Sequence, residues 1–328
     1  MYKNTRDVKR KVNVMKVIDI HAHIYEKVAG ITQGQPMSST SQGKVTIGNR
    51  EIQFLPPSFE RSCSTAEALI AYMDWCGIEK ALLMPNPFYG YHNYYFKESV
   101  KKYPDRLRGV ALVDIMKGKA AAEELAQIYD EGILFGMKIE VDSTFQCAPG
   151  TRLADPKLAP VWDCCEQYHQ PMFIHMFRRE DIVDLELLAK TYPHITFVIC
   201  HMGADICFRA GMPKRNYEKV LQIVKEYENV YIDTSTVPDY YEEEYPWKTS
   251  VNIIEECYRK VGADKMMWAS DYPGMLKKGT LNQLIRLVTE ECKNIPESAK
   301  EKIMAENARR LFFLKAVFKI DMVLQAAE

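Results

Sequence analysis

Two kinds of pattern alternate along the chain. Short runs of β-branched and apolar residues recur, and between them lie longer stretches with apolar positions three and four apart. The first run is "VIDI" at 17–20, inside "KVIDIHAHIYEK" (16–27). The pattern predicts further buried strands at 80–85 ("KALLMP"), 108–114 ("RGVALVD"), 136–141 ("GMKIEV"), 171–176 ("PMFIHM"), 196–203 ("TFVICHMG"), 230–235 ("VYIDTS") and 265–274 ("KMMWASDYPG"). Helices fill the gaps. "SCSTAEALIAYMDWCG" carries a Ser or Thr cap and stops at Gly77, "KAAAEELAQIYDEG" stops at Gly132, and "DPKLAPVWDCCEQYH" has Asp155 as cap and Pro156 at its first position. "TLNQLIRLVTEECK" and "SAKEKIMAENARRLFFLK" close the series.

Eight strands, each followed by a helix or helical insertion, predict a parallel sheet, and at this length an α/β fold of the (β/α)8 TIM-barrel type. The competing doubly wound sheet lacks its Gly-rich phosphate turn after the first strand. The rhythm breaks once. After strand 1 a polar stretch leads into "KVTIGNREIQFLP", where two alternating runs flank Gly48-Asn49 and predict a β-hairpin. We place an insertion at about 25–62 within one barrel domain spanning 16–328. Residues 1–15 are basic, lack an apolar core and are expected to be a flexible N-terminal extension or to precede a start at Met15.

Composition narrows the function classes. The chain has 328 residues, 47% hydrophobic and 27% charged, with a net charge of -1. Balanced charge offers no basic face for nucleic acid or an anionic membrane. No apolar run approaches the roughly 18 residues needed to span a bilayer. Nine cysteines without a Cys-x-x-Cys pair read as reduced thiols, as expected of a cytoplasmic protein. The aromatic stretch "NPFYGYHNYYF" and the amphipathic tail "KAVFKIDMVLQAAE" offer surfaces for a homodimer.

In such a barrel the active site lies at the C-terminal strand ends, so polar residues there carry the chemistry. His21 and His23 end strand 1, His175 ends strand 5, His201 ends strand 6 and Asp271 ends strand 8. Four of the seven histidines therefore sit at strand exits. Strict alternation puts Asp19, His21 and His23 on one face of strand 1, and Ile18, Ile20 and Ala22 on the other. It also puts Lys138 and Glu140 inside the barrel, Met267 and Ala269 inside, and Trp268 and Ser270 outside. Histidines with a carboxylate suit Zn2+, Mn2+, Fe2+ or Co2+, and no soft thiolate site is indicated.

"VIDIHAH", "FIHM", "VICHMG", "WASDYP" and "AENARRLF" together resemble the amidohydrolase superfamily, and more closely its family 2 branch of decarboxylases and lactonases. The resemblance covers residues 15 to about 314. It implies that His21, His23, His175 and Asp271 hold one divalent metal, zinc being the first choice. It implies that His201 acts as acid, base or electrostatic helper, and that Asp271 doubles as a water-activating base.

Other residues have two readings each. Lys138 either bridges two metals as a carbamate, as in binuclear relatives, or forms a buried ion pair with Asp19 or Glu140. Asp233 either orients His201 or pairs structurally. Arg178, Arg179 and Arg209 lie in loops after strands 5 and 6 and suit a carboxylate. Lys138, Arg178 and Tyr272 are taken as substrate-contact candidates. Three functions follow: a metal-dependent hydrolase of a small cyclic or carboxylated substrate, a non-oxidative decarboxylase of an aromatic or muconate-like acid, or a non-catalytic barrel that keeps a structural metal.

Overall fold

A computed structural model describes residues 15–32, 34–140, 150–208 and 214–314. Arg209, Val141, the N-terminal extension and the tail after 314 lie outside the described residues. Eight parallel strands form one sheet: β1 (Val17–Ala22), β6 (Ile78–Leu83), β7 (Leu107–Ala111), β8 (Leu134–Glu140), β9 (Met172–His175), β10 (Phe197–Ile199), β11 (Val230–Asp233) and β12 (Met266–Met267), in that spatial order. β12 is short, but the chain after it continues the ladder. Ile20 N donates to Trp268 O at 3.4 Å, Asp271 N to His21 O at 2.9 Å and His23 N to Tyr272 O at 2.7 Å. These bonds bring the last strand beside the first and close the (β/α)8 TIM barrel.

Helices α1 (Ala66–Cys76), α2 (Asn93–Lys102), α3 (Lys119–Glu131), α4 (Ala159–Gln167), α5 (Arg179–Thr191), α6 (Ala204–Cys207), α7 (Lys214–Glu226), α8 (Lys248–Val261), α9 (Leu281–Arg286) and α10 (Glu297–Glu301) fill the connections. The stop signals hold: Gly77 and Gly132 sit at φ 74, where a side chain would be strained. Thr65 caps α1 through Ala68 N, and Asp155 caps the turn that opens α4.

Two apolar layers result. Ile18, Ile20, Leu82, Val110, Phe135, Phe173, Val198, Met267 and Ala269 form the barrel interior, plugged at the N-terminal end by Ala305, Ala308 and Phe312 of the closing helical turns. Met137, Ile139, Ile174, Ile232 and Trp268 face the helices. That leaves the opposite mouth to the polar residues.

Strand 1 corrects the strict alternation expected of it. Ile18 and Ile20 lie in the barrel interior and Ala22 in the outer layer, because the register shifts between Asp19 and Ala22. Asp19 causes the slip: its carboxylate takes the amide hydrogens of His21 at 3.0 Å and Ser270 at 2.9 Å, replacing ladder bonds. The shift lets two apolar residues fill the barrel and two histidines crown the same wall.

The insertion holds more than one hairpin. β4 (Lys44–Ile47) and β5 (Arg50–Gln53) pair around Gly48 as expected, but β2 (Ile31–Thr32) and β3 (Gln35–Ser39) complete a four-stranded antiparallel sheet. "QPMSS" carries a proline and two serines, a weak strand signal that hid β3. This sheet packs on Tyr25 and Tyr89, whose rings stack at 4.4 Å. Gly30 permits the seating, since a Cβ there would lie 2.2 Å from the Phe88 carbonyl oxygen.

The described cysteines form no disulfide. Among the described residues no helix is long and apolar enough to cross a membrane.

The closing helical turns are tied to β6 by Arg309, whose two terminal nitrogens meet the Glu79 carboxylate at 2.9 and 2.7 Å. That hydrogen-bonded fork holds the Glu79 carboxyl below its usual range. The pair's stability is therefore present above the unfolded carboxylate pKa and lost as pH falls through the folded one. Arg309→Ala is expected to lower the urea midpoint at neutral pH by an amount equivalent to about 0.2–1 kcal/mol. The gap should close below the carboxylate range, and a gap unchanged at low pH would contradict this role.

Candidate metal centre

The barrel mouth gathers His21, His23 and Asp271. One ligand atom from each lies within 4.8 Å of the others. Their hydrogen bonds show which nitrogens are available. His23 Nδ1 lies 2.6 Å from the Met84 carbonyl oxygen, which only accepts, so that nitrogen carries the hydrogen. His21 Nδ1 lies 3.1 Å from Asp233 Oδ2, a carboxylate acceptor of the kind that orients metal-binding histidines. In neutral rings both Nε2 atoms are then bare. His23 Nε2 stands 3.0 Å from Asp271 Oδ1, so two lone-pair atoms face each other with a cation or proton required between them. Lys138 Nζ, a cation, sits 3.4 Å from His21 Nε2. Two nitrogens and a carboxylate, all turned inward and held from behind, fit a divalent ion of the zinc or manganese type.

Electrostatics follow the geometry. Burial pushes the Asp271 carboxyl up, but the hydrogen bond to His23 and the neighbouring imidazoles outweigh it and hold the group well below the carboxylate range. Burial, then Lys138 and His23, push His21 well below its usual value and keep it neutral. Burial, then His175 and His21, do the same to His201.

His201 faces this group, its ring centroid 4.5 Å from that of His21 and 4.5 Å from that of His175. Its Nδ1 meets Ser235 Oγ at 2.7 Å and Thr236 Oγ1 at 2.8 Å. Asp233 takes its backbone hydrogen at 2.8 Å, so this carboxylate positions both His21 and His201. The local backbone is strained: His201 (φ 57), Met202 (φ 55), Thr236 (φ 64) and Asp271 (φ 56) are all left-handed without being glycine. Each such residue costs on the order of 1–3 kcal/mol, and such strain concentrates at functional sites.

His175 stands beside the three-residue group rather than in it. Its Nε2 lies 2.6 Å from Asp205 Oδ2 and its Nδ1 3.6 Å from Glu140 Oε1. Burial opposes its charge, but these two carboxylates outweigh burial and raise it to about 9. Lys138 pairs with Glu140 at 2.7 Å, both fully buried, which matches the ion-pair reading of that lysine. Asp19 is engaged by Ser270 instead.

The remaining candidates have other partners. Arg178 is held by the Thr151 carbonyl at 2.5 Å and by Asp181 at 3.0 Å at the start of α5. Arg179 is exposed as that helix's first residue. Tyr272 is fully buried, its ring 5.3 Å from that of Tyr72 on α1. Sequence reasoning missed Ser235, Thr236, Asp205 and the Met84 carbonyl. The first two follow Asp233 and Thr234 in "YIDTST", a strand-exit run of hydroxyls that gave the only available signal. It also named the aromatic stretch without choosing Tyr89, whose ring lies 4.9 Å from that of His23.

The family model for amidohydrolases, in its second branch, matches residues 18–314. The chain belongs to amidohydrolase family 2. Solved structures repeat the architecture. A probable 2-pyrone-4,6-dicarboxylic acid hydrolase from Acinetobacter baumannii, with citric acid bound, superposes with TM-score 0.64 at 19% identity, covering 92% of this chain and 100% of its own. A dihydroxybenzoic acid decarboxylase from a Polaromonas species, with bound manganese, gives 0.59 at 19% identity, covering 77% and 87%. An amidohydrolase from Burkholderia multivorans with bound zinc gives 0.67 at 12% identity, covering 90% and 98%. A search of curated protein sequences finds no match. These neighbours share the fold and are named as hydrolytic and decarboxylating enzymes, and the Polaromonas structure holds manganese and the Burkholderia structure zinc.

Proposed function

We propose that this protein is a metal-dependent hydrolase of a small cyclic or carboxylated substrate, with His21, His23, His175 and Asp271 holding one divalent ion. The observation that carries the reading is the convergence of His21, His23 and Asp271 with both histidine Nδ1 hydrogens committed outward. His175 completes the set on releasing Asp205. A divalent ion there supplies Lewis acidity, lowering the pKa of an adjacent water toward roughly 7.

The chain's own residues supply the rest. Asp271 accepts from Thr236 at one oxygen and faces His23 with the other, which is the behaviour of an ionised carboxylate able to take a proton. His201 presents its second ring nitrogen to the same space. The stacked Tyr25 and Tyr89, together with the small sheet, wall the His23 side. Lys138, neutralised by Glu140, sets the floor.

The alternative is a carboxy-lyase using the same residues. Its support is the fold shared with decarboxylating neighbours such as the Polaromonas enzyme. Product detection separates the two. Protein loaded with Zn2+ or Mn2+ is incubated with pyrone dicarboxylates and with carboxylated phenols. A product heavier than its substrate by one water supports the hydrolase. Carbon dioxide release with no hydrated product overturns it in favour of the lyase.

A further inference from the structure

A histidine that takes a proton in a reaction must present a bare nitrogen, and which nitrogen is bare depends on what the other one meets. Two hydroxyls meet His201 Nδ1, Ser235 Oγ at 2.7 Å and Thr236 Oγ1 at 2.8 Å. A hydroxyl has one hydrogen to give. Thr236 gives its hydrogen to Asp271 Oδ2 at 2.9 Å. Ser235 gives its hydrogen to Asp233 Oδ1. Neither has one left for His201, so both accept, and the hydrogen between them belongs to Nδ1. One N–H shared between two oxygens is an ordinary three-centre bond. The ring's Nε2 has no protein partner among the described residues.

We infer that Ser235 and Thr236 are positioning residues that lock neutral His201 as its Nδ1–H tautomer, so that Nε2 is a proton acceptor at the barrel mouth. The reverse arrangement takes the hydroxyl donor away from one of two carboxylates. A bare Nδ1 would need a hydrogen from Thr236, leaving Asp271 Oδ2 without its donor, or from Ser235, leaving Asp233 Oδ1 with backbone donors alone. Asp233 also holds the His201 and Ser235 amides, at 2.8 and 3.0 Å, so main chain and ring are fixed by the same strand exit.

This rests on the proposed hydrolytic reading only for its consequence, and there it sharpens it. Nε2 takes a proton from the attacking water as the new C–O bond forms, and the protonated ring then returns that proton to the departing oxygen or nitrogen. In decarboxylation the ring would have to arrive already protonated to deliver a hydrogen to carbon.

The test is nitrogen NMR on full-length protein, labelled with 15N-histidine and loaded with Zn2+. A His201→Asn sample identifies the His201 signals among those of the seven histidines. The expected spectrum shows Nδ1 as an N–H nitrogen and Nε2 as a bare one. Thr236→Ser should leave it unchanged, whereas Ser235→Ala combined with Thr236→Val should give a tautomer mixture. The double variant should also lose about 10²-fold in kcat with little change in KM. A native spectrum with the hydrogen on Nε2, or a double variant still purely Nδ1–H, overturns the inference. The native spectrum decides even if the double variant does not fold. It needs no substrate, so it stands apart from the product assay that tests the reaction type.

Discussion

His23→Ala, alone or with His21→Ala, is expected to abolish stoichiometric binding of a divalent metal while leaving a cooperatively folded barrel. His23 has its Nδ1 hydrogen fixed by the Met84 carbonyl and turns Nε2 toward Asp271, so no neighbour can replace it. Loss of an outer hydrogen-bond partner of a metal ligand costs roughly 10–100-fold in affinity, and loss of the ligand itself should cost more. The fold should survive because the interior cluster lies below the mouth, built from Ile18, Ile20, Phe173 and their neighbours. Truncating one buried ring should cost about 1–3 kcal/mol, less than a domain's usual stability. Equilibrium dialysis with Zn2+ or Mn2+ and a urea melt read the two quantities. Full metal stoichiometry in the variant would remove the assignment.

The second large effect is expected at His201. His201→Asn should keep the metal and lose about 10²–10⁴-fold in kcat, the usual contribution of a placed proton acceptor. The side-chain amide has no nitrogen lone pair that can take a proton near neutrality. Loss of metal in this variant would instead make His201 a ligand, and its Ser235 and Thr236 contacts would then be holding a metal-binding ring.

The barrel was legible because its signals are local and repeated. Each strand is a short apolar run, and the glycine stops at Gly77 and Gly132 mark helix ends in the sequence itself. Parity along β8 was equally readable, since Met137 and Ile139 face the helices and Lys138 and Glu140 the interior. Strand 1 broke the rule through a long-range event: Asp19 binds an amide 251 residues away, and no local pattern announces that bond.

The site divides the same way. His-x-His and strand-end carboxylates can be seen in one dimension, and the structure gathers His21, His23 and Asp271. What fixes their protons cannot. Met84, Ser235 and Thr236 act through a carbonyl and two hydroxyls that any loop contains, and only their distances give them meaning. Asp205 opposite His175 was invisible for the same reason.

The most direct test of the metal centre is the metal content of purified full-length protein by elemental analysis, before and after incubation with Zn2+ or Mn2+. The proposed centre predicts about one divalent ion per chain, held by His21 and His23 with Asp271 and, once it releases Asp205, His175, while Lys138 stays paired with Glu140. No bound metal under either condition would contradict it, and the convergence of histidines at the barrel mouth would then be a hydrogen-bonded cluster without an ion.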